Sequence, residues 1–108
     1  MSGKPVLPRE LANRDVDAAV DHYVRDAGSE IALGFIDALQ SAYRAINEHP
    51  ALGSLRYAQE LALPGLRCRA LKGFPYLVFY IERENQIDVW RVLHSRREIP
   101  SRMRDPQT

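Results

Sequence analysis

The stretch from Phe74 to Arg97 constrains the fold of this 108-residue chain more than any other. Two runs rich in β-branched and aromatic residues, 75–81 and 87–93, flank a polar break, which predicts a β-hairpin. Side chains alternate across a strand, and the first run is apolar on both faces, so we expect this strand to be central in a sheet. The second run is followed directly by a histidine and two arginines, which we expect at the rim of the sheet: His94, Arg96 and Arg97.

The alternation in the second run assigns its side chains to two faces. One face is predicted to carry Ile87, Val89, Arg91 and Leu93, and the other Asp88, Trp90, Val92 and His94. An arginine within an apolar row must either reach solvent at the rim or pair with a carboxylate. We expect Arg91 to pair with an aspartate of the first helix.

Two helices are predicted before the hairpin. Apolar residues at three- and four-residue steps predict an amphipathic helix near residues 9–27, and a second apolar stripe predicts a helix near 29–49. Gly28 is a stop signal for the first helix, Ser29 is a candidate cap for the second, and Pro50 ends the second. This spacing predicts a helical hairpin.

Two further strands are predicted outside the hairpin. Residues 6–7, which are bracketed by prolines, predict a short strand at a sheet edge, because each proline removes a ladder donor. Residues 51–65 predict a loop with a short helical turn. Residues 66–72 then alternate between a buried face and a basic face that carries Arg67 and Arg69.

The order of these elements predicts the fold class. A helical hairpin with a continuous apolar stripe needs a surface to cover, and an antiparallel meander with an apolar face supplies one. The sequence therefore predicts a two-layer α+β fold, in which an N-terminal α-helical hairpin packs on a three- to four-stranded antiparallel sheet. We expect one domain over residues 1–108, with a core over about 6–99 and a loose C-terminal tail in which Ile99 and Met103 share a short helix.

Composition and charge exclude several classes of function. A net charge of +1 does not mark a nucleic-acid binder, although arginines crowd the C-terminal quarter. The single Cys68 excludes an internal disulfide, and with three histidines it leaves no zinc spacing, so no metal or cofactor is expected. The chain has neither a signal-peptide pattern nor the roughly 18 apolar residues of a membrane span. We expect it in a reducing cytoplasm without a membrane partner.

Several short motifs resemble a known family. The most specific is the pattern VLH-x-x-R that ends the last strand, and it is joined by 13–16 (NRDV), 48–50 (EHP), 65–67 (GLR) and 76–80 (YLVFY). With the order of the elements, these motifs resemble the RelE/ParE toxin superfamily of type II toxin-antitoxin modules over roughly residues 6–99. The resemblance implies a small toxin of the bacterial cytoplasm that a co-expressed antitoxin holds inactive.

The resemblance implies one of two activities. RelE-like members are ribosome-dependent endoribonucleases that cut mRNA, whereas ParE-like members are not nucleases and poison DNA gyrase. RNA cleavage needs a base, an acid and cations near the phosphate. RelE-like sequences are similar to one another in supplying these groups through strand lysines, two arginines and a C-terminal tyrosine. In this sequence the strand carries Arg67 and Arg69, which are permanently charged and therefore poor proton carriers. The uncharged Tyr76 lies near the position where a RelE-like sequence has an arginine, and no tyrosine follows Arg97.

The ParE-like pattern is therefore favoured, which implies a protein without catalytic residues. Its implied partners are a ParD-like antitoxin and DNA gyrase, with DNA reached only through the antitoxin. Two alternatives stay open: a RelE-like endoribonuclease in which His94 and Arg97 are catalytic, and a degenerate, non-toxic member that only binds its antitoxin. For contact with a partner or target we select Arg67, Arg69, His94, Arg96 and Arg97.

Each selected residue also has a structural interpretation. A histidine that ends a strand often ties down a carbonyl or a carboxylate, and a basic strand face is often only solvated. Tyr76 and Tyr80 could offer stacking surfaces to bases, but aromatic residues on a central strand are more often core. Cys68 is expected to be a small core residue.

Overall fold

The computed structural model describes residues 3–96 and Ile99. These residues form two layers, a layer of helices and a β-sheet. In chain order the elements are β1 (Val6–Pro8), α1 (Glu10–Ala27), α2 (Ser29–Glu48), a 3₁₀ turn (Pro50–Leu52), α3 (Arg56–Glu60), β2 (Leu66–Ala70), β3 (Tyr76–Glu82) and β4 (Ile87–His94). The predicted α+β fold is confirmed, and the element ends differ from prediction by at most two residues. The predicted C-terminal helix and tail lie outside the described residues apart from Ile99.

The four strands lie in the order β1-β4-β3-β2. The predicted antiparallel meander of β2, β3 and β4 and the edge position of β1 are confirmed. The sheet as a whole is mixed rather than antiparallel, because β1 runs parallel to β4 with Val6 opposite Ile87. Backbone bonds from Arg9 N–H to the Val89 carbonyl and from Ile87 N–H to the Pro5 carbonyl, both 2.9 Å, hold this edge. A three-residue strand that follows Pro5 and ends in Pro8 has too little pattern to reveal its direction.

The helical hairpin covers one face of the sheet, which we call the helix face. Apolar side chains of α1 and α2 meet those of β3 and β4, and the most deeply buried include Phe35, Ile46, Val78, Tyr80 and Val89. Tyr76 and Tyr80 belong to this core, as the structural interpretation of the central strand predicted. None of the described helices is long and apolar enough to cross a lipid bilayer.

The opposite face of the sheet, the back face, has a smaller core. It contains Leu66, Phe79 and Leu93, and Ile99 is buried there from beyond β4. Tyr57 of α3 contacts the edge of the Phe79 ring at 5.4 Å between centroids. Cys68 is buried in the same cluster, which confirms the prediction that it is a core residue.

A β-bulge corrects the predicted faces of β4. Phe79 lies opposite Arg91 but Tyr80 lies opposite Val89, so Trp90 is an extra residue on β4. Beyond it the alternation is inverted: Val92 joins Val89 in the helix-face core, and Leu93 lies in the back-face core. The prediction that Leu93 shares a face with Val89 is wrong, because strict alternation does not allow for an inserted residue.

Gly28 makes the turn of the helical hairpin. Its φ of 97° is a conformation that side-chain-bearing residues rarely adopt, and its N–H donates to the Tyr23 carbonyl at 2.9 Å. The same glycine precedes the first residue of α2, so Ser29 lies inside the helix and makes no capping hydrogen bond. The predicted stop at Gly28 is confirmed, whereas the predicted cap at Ser29 is wrong.

Candidate functional site

A buried ion pair fixes α1 against the bulged part of β4. Arg91 donates from Nε and Nη2 to the two carboxylate oxygens of Asp15, at 2.8 and 2.9 Å, and the Val92 N–H donates to Asp15 at 3.0 Å. The two side chains are only 6% and 9% exposed. This confirms the predicted pairing of Arg91 with a helix aspartate. The bidentate pair determines how α1 sits on β4.

A cleft of about 420 Å³ opens beside this ion pair, between α1 and the end of β4, and we call it the α1–β4 cleft. One wall is a flank of α1, where positions 15, 18, 22 and 25 lie at three- and four-residue spacing on one side of the helix. The other wall is the end of β4 with the first residue of β3. The side chains that define it are Ala18, His22, Arg25, Tyr76, Val92 and His94.

His94 lies in the cleft because of the bulge. Its half-buried ring meets the edge of the Tyr76 ring at 5.2 Å between centroids, directly across the β3–β4 pair. Its Nδ1 accepts a hydrogen bond from the Arg96 N–H at 3.1 Å, so the neutral ring carries its proton on Nε2. The structural interpretation of His94, in which the ring ties down local backbone, is therefore part of its role.

His22 and Arg25 supply the polar rim of the cleft from α1. His22 Nδ1 lies 3.0 Å from the Asp26 carboxylate, one helical turn further along the chain. Arg25 is exposed at the open end of the cleft. Neither residue was selected from the sequence, although the spacing of Asp15, His22 and Arg25 along one side of a predicted helix was a signal that could have revealed them.

Arg67 and Arg69 lie away from the cleft, on the outer strand β2. They are opposite Tyr80 and Val78 in the β2–β3 register and therefore on the helix face, where both are half-buried. Arg67 Nη1 donates to the Gly53 carbonyl at 2.8 Å. Of the five residues selected, the structure places His94 and exposed Arg96 together, and Arg67 and Arg69 separately; Arg97 lies outside the described residues.

Tyr80 and Gly53 close the space between Arg67 and the helices. The Tyr80 hydroxyl donates to the Pro50 carbonyl at 2.7 Å, and burial raises the pKa of Tyr80. A Cβ added at Gly53 would collide with this hydroxyl, so the close approach of the loop requires glycine. Tyr80 is therefore a packed structural group and is not accessible to bases for stacking.

The fold and the cleft define a class of small α+β proteins in which a helical hairpin covers one face of a mixed sheet and a basic, histidine-bearing strand end borders the helices. A structure described as the chromosomal ParDE TA system from P. aeruginosa has the same fold, with a TM-score of 0.72 and 22% sequence identity over 87% of this chain and 98% of that chain. A search of curated proteins finds no match.

The family model described as ParE toxin of type II toxin-antitoxin system, parDE, matches residues 6–99. This range covers all of the helices and strands described above. The chain belongs to the ParE toxin family. The resemblance to the RelE/ParE superfamily, and the assignment to its ParE-like branch, are thereby confirmed.

Proposed function

We propose that this member of the ParE toxin family poisons DNA gyrase and that a ParD-like antitoxin neutralises it. The family match supports the ParE-like branch, whose implied target is gyrase rather than mRNA on the ribosome. The bacterial cytoplasm, where gyrase acts, is the proposed location. A degenerate, non-toxic member would bind the antitoxin without harming gyrase.

The observation that carries this proposal is the buried side chain of Tyr76. A RelE-like nuclease is expected to place an arginine near this position, to offset charge that grows on the phosphate. Tyr76 is instead 7% exposed and packs against Phe35 and His94. Of the two arginines on β2, Arg67 is already bonded to the Gly53 carbonyl. Tyr76 and Arg67 lack the features that acid–base cleavage of RNA requires, which supports the ParE-like branch over an endoribonuclease.

A supercoiling assay tests the target. Purified gyrase would be given relaxed plasmid and ATP with increasing amounts of the chain, and we expect supercoiling to fall and cleaved plasmid to accumulate. Addition of the cognate antitoxin should restore supercoiling. Cleavage of mRNA on translating ribosomes, abolished by His94→Ala, would overturn the proposal in favour of the endoribonuclease. Antitoxin binding with no effect on gyrase or mRNA would indicate the degenerate member.

The proposed antitoxin surface combines a sheet edge with the helical hairpin. Ser54 pairs with both the N–H and the carbonyl of Cys68, so part of the outer edge of β2 is already occupied. The edge of β1 is then the better place for a partner to add a strand. Ile31 and Leu33 of α2 are about half exposed or more and offer an apolar surface for an antitoxin helix.

Arg67 and Arg69 are proposed to meet acidic residues of the antitoxin arm, which makes association fast and sensitive to salt. The double variant Arg67→Glu/Arg69→Glu should weaken antitoxin binding at low salt, measured by calorimetry. The matched control is Arg14→Glu/Arg56→Glu, which makes the same charge change at exposed positions of α1 and α3, away from the β1 edge and α2. Thermal melts should show that both variants fold. Equal affinities for the two variants would remove the basic strand from the interface.

A further inference from the structure

We propose that the α1–β4 cleft is a binding site for a carboxylate side chain, which an acidic segment of a partner protein inserts between Arg25 and His94. In its application to the antitoxin, this proposal rests on the proposed function. The cleft is separate from Arg67 and Arg69, which lie on the other side of β3 and do not line it.

The shape of the cleft suits one side chain with an apolar stem. Ala18 and Ala19 keep the α1 wall low between Asp15 and His22, and Val92 forms part of the apolar floor. The volume of about 420 Å³ exceeds that of any one side chain, and the cleft is open to solvent. A glutamate could therefore enter with flanking backbone, its methylene groups against the alanines and its carboxylate at the rim.

The charges of the cleft favour a single carboxylate. Asp15 is neutralised by Arg91 and the Val92 N–H, and His22 lies beside Asp26. Among residues 3–96 and Ile99, no carboxylate lies within ion-pair distance of Arg25. A guanidinium with no carboxylate at ion-pair distance among these residues attracts an anion, and its planar donors match a carboxylate.

The charges around the cleft also disfavour a phosphate. The Asp26 carboxylate lies beside His22, next to the α1 wall, and repels a dianion more strongly than a monoanion. A monoanion on an apolar stem meets less repulsion and gains contact with the floor. A carboxylate on an apolar stem is therefore favoured over inorganic phosphate, and an acidic peptide supplies such a group.

An NMR titration of the ¹⁵N-labelled full chain tests the site directly. The probe is the acetylated and amidated peptide Ala-Leu-Glu-Leu-Ala, compared with the same peptide carrying glutamine. We expect the glutamate peptide to shift the amide signals of His22, Arg25 and His94, and the glutamine peptide to bind about tenfold more weakly. Equal shifts with both peptides, or no shifts, would overturn the proposal. So would tighter binding of inorganic phosphate at the same residues.

Substitution identifies the cation. Arg25→Gln should weaken the glutamate peptide about tenfold, while Arg14→Gln, on the same helix but outside the cleft, should leave affinity unchanged. Equal effects of these two variants would overturn the role of Arg25. Arg25→Lys should recover part of the affinity, because it keeps the charge but loses the fork of donors.

The antitoxin supplies the second arm of the test. Arg25→Gln should weaken the cognate antitoxin about tenfold, and Arg25→Glu should be rescued by glutamate-to-lysine replacement in the antitoxin's acidic segment. Loss of gyrase inhibition in Arg25→Gln with unchanged antitoxin affinity would assign the cleft to the target and overturn the antitoxin assignment. Failure of the wild-type chain to inhibit gyrase would contradict the proposed function but leave the peptide titration valid.

Discussion

The two faces of the sheet are covered in different ways. The helix face is packed against two helices of 18 and 20 residues and includes a buried ion pair between Asp15 and Arg91. The back face is covered by the five-residue α3 and by Ile99, and its core is apolar. The long helices would slide over a purely apolar surface, whereas a bidentate ion pair fixes one position. The face that carries buried charge is also the face that forms the cleft.

The largest effect is expected from breaking the ion pair on the helix face. Asp15→Ala leaves the Arg91 guanidinium and the Val92 N–H buried without their acceptor, and should lower the free energy of unfolding by about 3–5 kcal/mol. Chemical denaturation measures this loss. Asp17→Ala, at an exposed position of the same helix, is the control and should change stability by less than about 0.5 kcal/mol. A small loss for Asp15→Ala would show that α1 is positioned by apolar packing alone.

Cavities on the two faces should cost similar amounts. Phe79→Ala on the back face and Leu39→Ala on the helix face each remove a buried side chain, and each should lower the free energy of unfolding by about 2–5 kcal/mol. Leu33→Ala, which truncates a 61% exposed leucine, is the control. If Phe79→Ala lowered the free energy of unfolding no more than Leu33→Ala does, the apolar cluster on the back face would not contribute to stability as a core.

The smallest effect concerns the Tyr43 hydroxyl, which is buried on the helix face without a hydrogen-bond partner among the described residues. Tyr43→Phe removes this group and should raise stability at pH 7 by up to about 1 kcal/mol. Burial, together with the charge of Asp15, raises the pKa of Tyr43 to about 12. The unfolded chain therefore loses the proton first as the pH rises above about 10, and wild-type stability falls there.

The difference in stability between Tyr43→Phe and the wild type should widen between about pH 10 and 12. The phenylalanine variant has no hydroxyl proton to lose at this position, so it does not share this loss of stability. Thermal melts at a series of pH values measure it. A constant difference across the series would mean that the Tyr43 hydroxyl reaches solvent. Burial also raises the pKa of Tyr23 and Tyr80, so both proteins should lose some stability in this range.

Most of the fold was predictable because its signals are local. Helix periodicity, the stop at Gly28 and the two-sided apolar pattern of β3 each depend on residues close together in the chain. The direction of β1 was not predictable, since it depends on which strand lies beside it after two helices have intervened. The bulge at Trp90 was not predicted for a related reason. The apolar pattern of β4 is compatible with strict alternation and with an inserted residue, and only the pairing of β4 with β3 distinguishes the two.

The candidate site was predictable only in part. His94 and Arg96 were found because they end a strong strand, and Arg91 because a charge in an apolar row needs a partner. His22 and Arg25 were missed because exposed polar residues on a helix are ordinarily solvated, and only the fold brings them opposite His94. Arg67 and Arg69 were assigned to a basic strand face, but no local pattern indicates that this is the face shared with the helices.

The parallel pairing of β1 with β4 has a consequence for the order of folding. Val6 lies opposite Ile87, so this pair joins segments from opposite ends of the described chain. Contacts between residues distant in sequence slow folding, and a chain leaves the ribosome with its N-terminal residues first. β1 therefore has no neighbouring strand until β4 has emerged. The complete sheet forms only after β4 has been synthesised, and a truncated translation product that lacks β4 cannot assemble the edge or the cleft.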